Sequence, residues 1–186
     1  MENEETIRIA AEFLSDSDGV VAVDLAGAEA LFPTSDYEKL FAHARAEGIP
    51  FTIHAGEAAG PESIRQAVDY GTARIGHGVN CIHDKNLMNI IAEKGITLEL
   101  CPTSNLNTKI VNDIKDYPID KIINNKIKVT INTDNMTVSG TDEASEMKLI
   151  CDTFGYDGNM RRIFVDNAID AAFLSNEMKE KLRGNL

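Results

Sequence analysis

Short apolar runs alternate with longer segments of helical periodicity along the whole chain. Five runs rich in β-branched and apolar residues begin near residues 20, 50, 73, 96 and 128, and their length and composition predict strands. Successive starts are 30, 23, 23 and 32 residues apart. Because such spacing leaves room for one helix between strands, it indicates repeated βα units around a parallel sheet.

The segments between these runs carry helix signals. Apolar stripes at helical spacing precede Gly48, Gly71 and Gly95. A glycine at such a position can adopt the left-handed conformation that ends a helix. Pro61 suits the first turn of the second of these helices, since its missing N–H would have no partner there. The sequence therefore predicts three helices between the strands.

Both ends of the chain are also predicted to be helical. One apolar stripe begins at Ile7, helical periodicity covers residues 143–154 and 159–172, and Ser175 suits an N-cap. No linker or low-complexity tract interrupts the pattern, so residues 1–186 are expected to form one α/β domain. Five βα units are too few for a closed TIM (β/α)8 barrel, which has eight.

Polar side chains follow the predicted strands. Asp24, His54, His77 and Asp134 each stand at a strand end, and Glu57 comes one tight turn after His54. The carboxyl ends of parallel strands share one face of the sheet, so these groups can converge. His and Asp are zinc ligand types, and a carboxylate beside a metal can transfer protons. Each residue alone reads as a structural cap, but together they favour an active site.

Charge and cysteine content narrow the classes of partner. The chain has 30 acidic residues against 18 lysines and arginines, a formal net charge of -12. This charge disfavours nucleic acid and anionic membrane surfaces and fits a neutral or cationic small molecule. Cys81, Cys101 and Cys151 are odd in number and lack zinc-knuckle spacing, which predicts a reducing cytoplasm. No apolar run approaches the ~20 residues of a membrane span.

Five segments give the chain a family resemblance. They are Val21-Ala-Val-Asp-Leu-Ala-Gly27, His54-Ala-Gly-Glu57, Arg74-Ile-Gly-His-Gly78, Leu98-Glu-Leu-Cys-Pro-Thr-Ser-Asn105 and Ile131-Asn-Thr-Asp-Asn135. In this order they resemble the C-terminal portion of the adenosine deaminase family of metal-dependent hydrolases. The resemblance implies a partial TIM barrel made of approximately its last five βα units. It also implies hydrolytic deamination of adenosine to inosine and ammonia.

The resemblance also implies roles for individual residues. His54 and Asp134 would be zinc ligands, and Glu57 would protonate a purine ring nitrogen, so that it must carry a proton when the substrate binds. His77 would orient and stabilise the attacking hydroxide, which zinc can supply at neutral pH. Asp24 would support His77 from behind.

Two further residues are implied to contact the substrate. The backbone N–H of Gly27 would reach the purine ring, and Asn135 would approach another ring nitrogen. Much of the family has a second aspartate at the position of Asn135. An amide offers an N–H donor at nearly the same place, so this difference concerns substrate preference more than activity.

A larger departure concerns the metal. The family's first barrel strand carries a His-x-His pair that supplies two zinc ligands, whereas the histidines here are His43, His54, His77 and His83, none spaced i, i+2. The chain alone is therefore expected to hold zinc weakly and to be inactive. It would expose two sheet edges and an apolar interior until an N-terminal segment or self-association completes the barrel. There are two alternatives. The chain could be a catalytically inactive remnant that acts as an assembly module, or part of a deaminase that acts on adenine or another aminopurine.

Overall fold

One parallel sheet of five strands forms the centre of the molecule. The computed structural model describes residues 2–15 and 18–185, so Met1, Asp16, Ser17 and Leu186 of the predicted domain lie outside the described residues. Neighbouring strands pair in chain order. The strands are β1 (Val23–Leu25), β2 (Phe51–Ala55), β3 (Arg74–His77), β4 (Thr97–Leu100) and β5 (Lys128–Ile131).

Helices connect the strands and follow the last one. Within the described ranges the α-helices are α1 (Glu2–Glu12), α2 (Glu38–Ala46), α3 (Pro61–Tyr70), α4 (Lys85–Lys94), α5 (Pro102–Asn107), α6 (Ile119–Asn124), α7 (Met136–Ser139), α8 (Glu143–Phe154), α9 (Gly158–Ala171) and α10 (Asn176–Gly184). Short 3-10 helices cover Thr34–Tyr37, Val79–His83 and Ile114–Asp116. Parallel strands in sequential order, each followed by a helix, confirm the α/β class and the architecture of a partial (β/α)8 barrel.

The predicted elements are confirmed, with three short helices added. Gly71 and Gly95 end α3 and α4 in the left-handed conformation, and Ser175 caps α10 by accepting a hydrogen bond from the backbone N–H of Met178. The helices α5, α6 and α7 were not predicted. They contain four to six residues each, too few to show a helical period in the sequence.

The outer face of the sheet holds the core. Ile53, Ile75, Leu98 and Val129 lie in register across β2 to β5 and are at most 1% exposed. Alternate residues of a strand point to opposite faces, so this row faces the helices while its neighbours face the other way. The helices cover the row with buried side chains of the same core. This packing fixes the carboxyl ends of the strands relative to one another.

The inner face of the sheet is largely polar, which corrects the expectation of an apolar interior. Thr52, His54, Arg74 and Glu99 line a cavity of about 550 Å³ on this face. Arg74 and Glu99 form an ion pair at 3.1 Å, and the Thr52 hydroxyl donates to Glu99 at 2.8 Å. The expectation was wrong because the apolar residues of each strand face the helices, whereas the alternate residues, which face the other way, are mostly polar. The other face is free to line a polar cavity.

The two outer strands have unpaired edges, as predicted. In the described ranges β1 pairs with β2 alone, and β5 pairs with β4 alone. The amino-terminal end of the sheet is partly covered, because the Arg74 guanidinium donates to the carbonyl of Ala171 and stacks 4.0 Å from the Phe173 ring centroid. Of the helices described, none has both the length and the apolar character needed to cross a membrane.

Candidate functional site

The turn after β2 brings His54 and Glu57 to the carboxyl end of the sheet. His54 is the last but one residue of β2 and is partly buried. The side chain of Glu57 is 18% exposed. Gly56 between them has φ +72°, and a Cβ there would meet the Ile64 side chain at 2.2 Å. The turn therefore needs glycine both for its backbone conformation and for its close approach to α3.

A buried carboxylate, Glu29, holds this turn in place. Its two oxygens accept hydrogen bonds from four consecutive backbone N–H groups, those of Gly56, Glu57, Ala58 and Ala59, at 2.6 to 3.1 Å. The Ser63 hydroxyl on α3 donates to it as well, at 2.5 Å. The Glu29 carboxylate thus accepts the hydrogen bonds that these four backbone N–H groups would otherwise make to water. An ionised carboxylate suits this role because it has two acceptor oxygens and forms strong, charge-assisted hydrogen bonds.

The sequence analysis did not identify Glu29. A single glutamate in a loop has no period and no partner within reach in the sequence, since its contacts are 27 to 34 residues away. The one available signal was its place two residues after the segment that ends at Gly27.

His77 lies beside both residues of the turn. Its ring centroid is 5.0 Å from that of His54 in an edge-on arrangement, and its Nε2 is 3.5 Å from Oε2 of Glu57. The side chain is 1% exposed, and burial lowers its pKa although the charge of Glu57 opposes the change. Its imidazole is therefore expected to be neutral at neutral pH.

The amide of Asn105 on α5 connects His77 with Glu57. Its Nδ2 lies 3.2 Å from Nδ1 of His77 and donates to Oε1 of Glu57 at 3.4 Å. The same Oε1 accepts from the Thr108 hydroxyl at 3.2 Å. On the other side, the hydroxyl of Tyr117 donates to Oδ1 of Asn105 at 2.9 Å. From the sequence, Asn105 could either line the site or belong to a turn, and its contacts with His77 and Glu57 place it in the site. Tyr117 was not predicted to be part of it.

Asp24 contacts His54 and not the residue expected from the sequence. Its Oδ2 is 3.4 Å from Nε2 of His54, and β2 separates β1 from the strand that carries His77. The expectation that Asp24 supports His77 is corrected accordingly. Burial works against protonation of His54, but the hydrogen bond and charge of Asp24, together with the charges of Asp134 and Glu99, outweigh it and leave the pKa of His54 raised.

Asp134 follows β5 and lines the same cavity as His54 and His77. The hydroxyl of Ser104 donates to its Oδ2 at 2.6 Å. Asn135, its neighbour, caps α7, because its Oδ1 accepts from the backbone N–H of Val138 at 2.9 Å. The structure therefore brings Asp134 together with both histidines, whereas Asn135 is exposed and is not among the residues that line this cavity.

Gly27 lies in the loop after β1, where it lines a small cavity together with His54. Its φ of +142° lies in a region that glycine adopts readily. His43 and His83 are not part of the site. His43 on α2 lies 2.9 Å from a carboxylate oxygen of Glu4, and His83 is an exposed residue at the end of a 3-10 helix.

Two site residues have strained backbones. The non-glycine residues with positive φ in the described ranges are His77 (61°), Lys109 (63°), Lys126 (62°) and Asp134 (56°). The left-handed conformation is uncommon for residues with a Cβ and concentrates at functional sites. Because His77 and Asp134 both adopt it at the ends of β3 and β5, this end of the sheet is the candidate functional end.

The donor atoms suit a metal in kind but not in number. His54, Asp134 and Asp24 line one cavity, and imidazole and carboxylate are zinc ligand types. Across residues 2–15 and 18–185, however, no group of three or more His, Cys, Asp or Glu side chains could hold a metal ion. Burial raises the pKa of the Cys101 thiol far above its usual value, so no thiolate is expected there. These residues can supply part of a zinc site.

Comparisons with known proteins show the family of the chain. The model of the adenosine deaminase family matches residues 1–186. An adenosine deaminase from Haemophilus ducreyi is 45% identical over 185 residues, which are 99% of this chain and 54% of that protein. An adenosine deaminase from Clostridium perfringens is 42% identical, with 89% and 50% covered. The chain thus spans about half the length of the curated relatives it matches.

Solved structures show the same fold. The N6-methyl-AMP deaminase from Arabidopsis thaliana has a TM-score of 0.87 at 28% identity, and the match covers 98% of this chain and 53% of that one. An amidohydrolase from Burkholderia ambifaria with bound zinc has a TM-score of 0.88 at 23% identity, with 98% and 51% covered. In each case the present chain corresponds to about half of the larger protein.

Proposed function

Because the chain belongs to the adenosine deaminase family, we propose that it supplies one part of the active site of a zinc-dependent hydrolase that deaminates adenosine or a related aminopurine. The observation that carries the proposal is the convergence of His54, Glu57, His77 and Asp134 at the carboxyl ends of β2, β3 and β5. The products from adenosine would be inosine and ammonia.

His54 and Asp134 would hold the zinc, as the resemblance implies. Their side chains line one cavity, and a protein of the same fold from Burkholderia ambifaria holds zinc. When bound, zinc would supply hydroxide at neutral pH, because it lowers the pKa of a bound water to about 7. Four ligands are the rule for zinc, so further donors would come from outside these 186 residues.

Glu57 would deliver a proton to the purine ring nitrogen next to the reacting carbon. Asn105 and Thr108 hold one of its oxygens, which fixes the carboxyl group while the other oxygen lies 3.5 Å from His77. Protonation of that nitrogen makes the adjacent carbon more electrophilic. The oxygen of a water molecule then adds to this carbon. One proton of that water passes to the amino group, which leaves as ammonia, and the other returns to the Glu57 carboxylate.

Substrate contacts would come from two residues next to those that line the cavity. The carbonyl oxygen of Asn135 is engaged in capping α7, which leaves its amide N–H₂ as the group available to a ring nitrogen. Gly27 would contact the ring through its backbone N–H. A neutral nucleoside is compatible with a net charge of -12, and the preference for adenosine, adenine or another aminopurine is open to the assay below.

The partner would be a chain segment that pairs with the free edges of β1 and β5. An N-terminal segment that supplies the missing barrel strands fits both the two unpaired edges and the matched half of the relatives; a second copy of this chain is the other candidate. We propose a cytoplasmic location, with which the three buried, free cysteines are compatible.

Complementation tests the proposal. The chain would be expressed alone and joined to the N-terminal part of the Haemophilus ducreyi adenosine deaminase, and zinc content and deamination of adenosine, adenine and N6-methyl-AMP would be measured. Alone, it is expected to bind zinc substoichiometrically and to deaminate none of them. The joined protein, hereafter the complemented enzyme, is expected to bind one zinc and to release ammonia. Robust turnover by the lone chain would overturn the missing-ligand argument, and a folded, zinc-loaded but inactive protein would favour the silent assembly module.

Gly76→Ala is expected to impair zinc binding in the complemented enzyme. A Cβ at Gly76 would lie 2.6 Å from Cδ2 and 3.1 Å from Nε2 of His54, so the imidazole must move. Zinc affinity should fall by about 10- to 100-fold, the effect typical of disturbing a ligand's support. Gly158→Ala is the matched control, because a Cβ there meets no atom within 4 Å. Unchanged zinc affinity in Gly76→Ala would argue against His54 as a ligand.

A further inference from the structure

We propose that Asn105, held by Tyr117, is a positioning residue that fixes the tautomer of His77 and the orientation of Glu57. The contribution of Asn105 to catalysis rests on the proposed function, but its effect on the tautomer of His77 does not. The juxtaposition that carries it is a buried chain of side chains running from Tyr117 through Asn105 to His77 and Glu57.

The hydrogen bonds set the orientation of the Asn105 amide. Glu57 is an acceptor when ionised, so the group 3.4 Å from its Oε1 must be the amide nitrogen, because a carbonyl oxygen there would be repelled. The carbonyl oxygen then faces Tyr117, whose hydroxyl donates to it at 2.9 Å. Asn105 is fully buried and Tyr117 is 2% exposed, so water cannot replace either side chain as a hydrogen-bond partner of the other.

The orientation of the amide determines which nitrogen of His77 carries the proton. The Nδ2 of Asn105 lies 3.2 Å from Nδ1 of His77 and can only donate, so Nδ1 must accept. A neutral His77 therefore has its hydrogen on Nε2, which lies 3.5 Å from Oε2 of Glu57. The opposite tautomer would place two donors against each other at Nδ1 and two acceptors at Nε2.

This arrangement gives the site a fixed donor. With hydrogen on Nε2, His77 presents an N–H toward the Glu57 carboxyl, where the proposed chemistry needs a group that orients the attacking oxygen. The second hydrogen of the Asn105 amide restrains Glu57 at the same time. The Asn105 amide thus orients the side chains of both His77 and Glu57. The hydrogen bond from Tyr117 keeps that amide from rotating by 180°.

Tyr117 lies 12 residues after Asn105 in the sequence. It follows the 3-10 helix Ile114–Asp116, and burial raises its pKa well above the usual value, so its hydroxyl keeps the proton that it donates. A buried hydroxyl without a partner would cost free energy, and the contact with Asn105 satisfies it. A purely structural role would tie α5 to the following loop without regard to the tautomer of His77.

The tautomer can be measured on the 186-residue chain without zinc or substrate. Two-bond ¹H–¹⁵N spectra of the imidazole rings, recorded well above the ordinary pKa of histidine, distinguish the two nitrogens. His77 is identified by the resonances lost in His77→Gln. Hydrogen on Nε2 is the expected result, and hydrogen on Nδ1 would overturn the proposal. Because catalysis is not involved, an inactive protein with the expected tautomer would count against the proposed function alone.

Two substitutions test whether Asn105 and Tyr117 cause the tautomer. Asn105→Asp changes one polar atom and presents an acceptor to Nδ1, so the hydrogen should move to Nδ1. Tyr117→Phe removes the contact that holds the amide oxygen, so that Glu57 alone favours this orientation and the second tautomer should become detectable. Tyr156→Phe, which removes a hydroxyl bonded to Asp120, should change nothing. Unchanged His77 resonances in both substituted chains would contradict the proposal. If Asn105→Asp fails to fold, Tyr117→Phe decides, because it retains the buried ring.

Kinetics of the complemented enzyme give a second readout. Tyr117→Phe should lower kcat by about 10- to 100-fold, as is typical when the support of a reacting group is lost, with little change in KM. Tyr156→Phe should leave both parameters unchanged. A loss confined to KM would assign Tyr117 to substrate binding and not to positioning.

Discussion

Glu57→Gln in the complemented enzyme is expected to lower kcat for adenosine by about 10²- to 10⁴-fold, the usual contribution of a general acid. The amide has the shape of the carboxyl group, and its oxygen can still accept from Asn105 and Thr108. The fold and the zinc content should therefore be unchanged. What is lost is an acidic proton for the purine ring nitrogen. Ammonia release at saturating adenosine measures the effect.

Glu62→Gln is the matched control for this experiment. Glu62 lies in the first turn of α3 with 78% of its side chain exposed, so the same chemical change there should leave kcat within twofold or so. Zinc content and the thermal midpoint should be the same in both variants. If Glu57→Gln kept most of the wild-type rate, the assignment of Glu57 as proton donor would be wrong.

Glu29→Gln is expected to have the largest effect on stability. The substitution replaces one carboxylate oxygen by an N–H₂ group that faces backbone N–H donors, and it removes the charge that all of them share. Hydrogen bonds to charged groups contribute about 1.5–3 kcal/mol each and are not additive, so a loss of about 3 kcal/mol in the free energy of unfolding is expected. Urea unfolding of the complemented enzyme measures it.

The same substitution should also lower activity, because the turn that Glu29 holds carries Glu57. Glu62→Gln again serves as the control, since it removes a charge from the same region at an exposed position. A change of less than about 0.5 kcal/mol in Glu29→Gln, the range of ordinary surface substitutions, would show that the turn holds itself.

The strands and their functional ends could be predicted from the sequence because both depend on local signals. An apolar run with a polar residue after it is visible without knowledge of the fold, and this signal located His54, His77 and Asp134. Their approach to one another followed from a general property of parallel sheets. The family resemblance added the roles.

The supporting residues could not be predicted, because their partners are distant in the sequence. Glu29 bonds to residues 27 to 30 positions later in the β2 turn, and Asn105 bonds to His77, 28 positions earlier. The choice of partner for Asp24 failed for a related reason. It depends on which strand is the neighbour of β1, and only the three-dimensional order of the sheet determines that.

The left-handed backbones of His77 and Asp134 mean that stability and activity are opposed at these two positions. Each such conformation costs about 1–2 kcal/mol for a residue with a Cβ, and glycine would avoid the cost. Selection for a more stable protein would therefore favour glycine at the two places where the proposed chemistry needs an imidazole and a carboxylate.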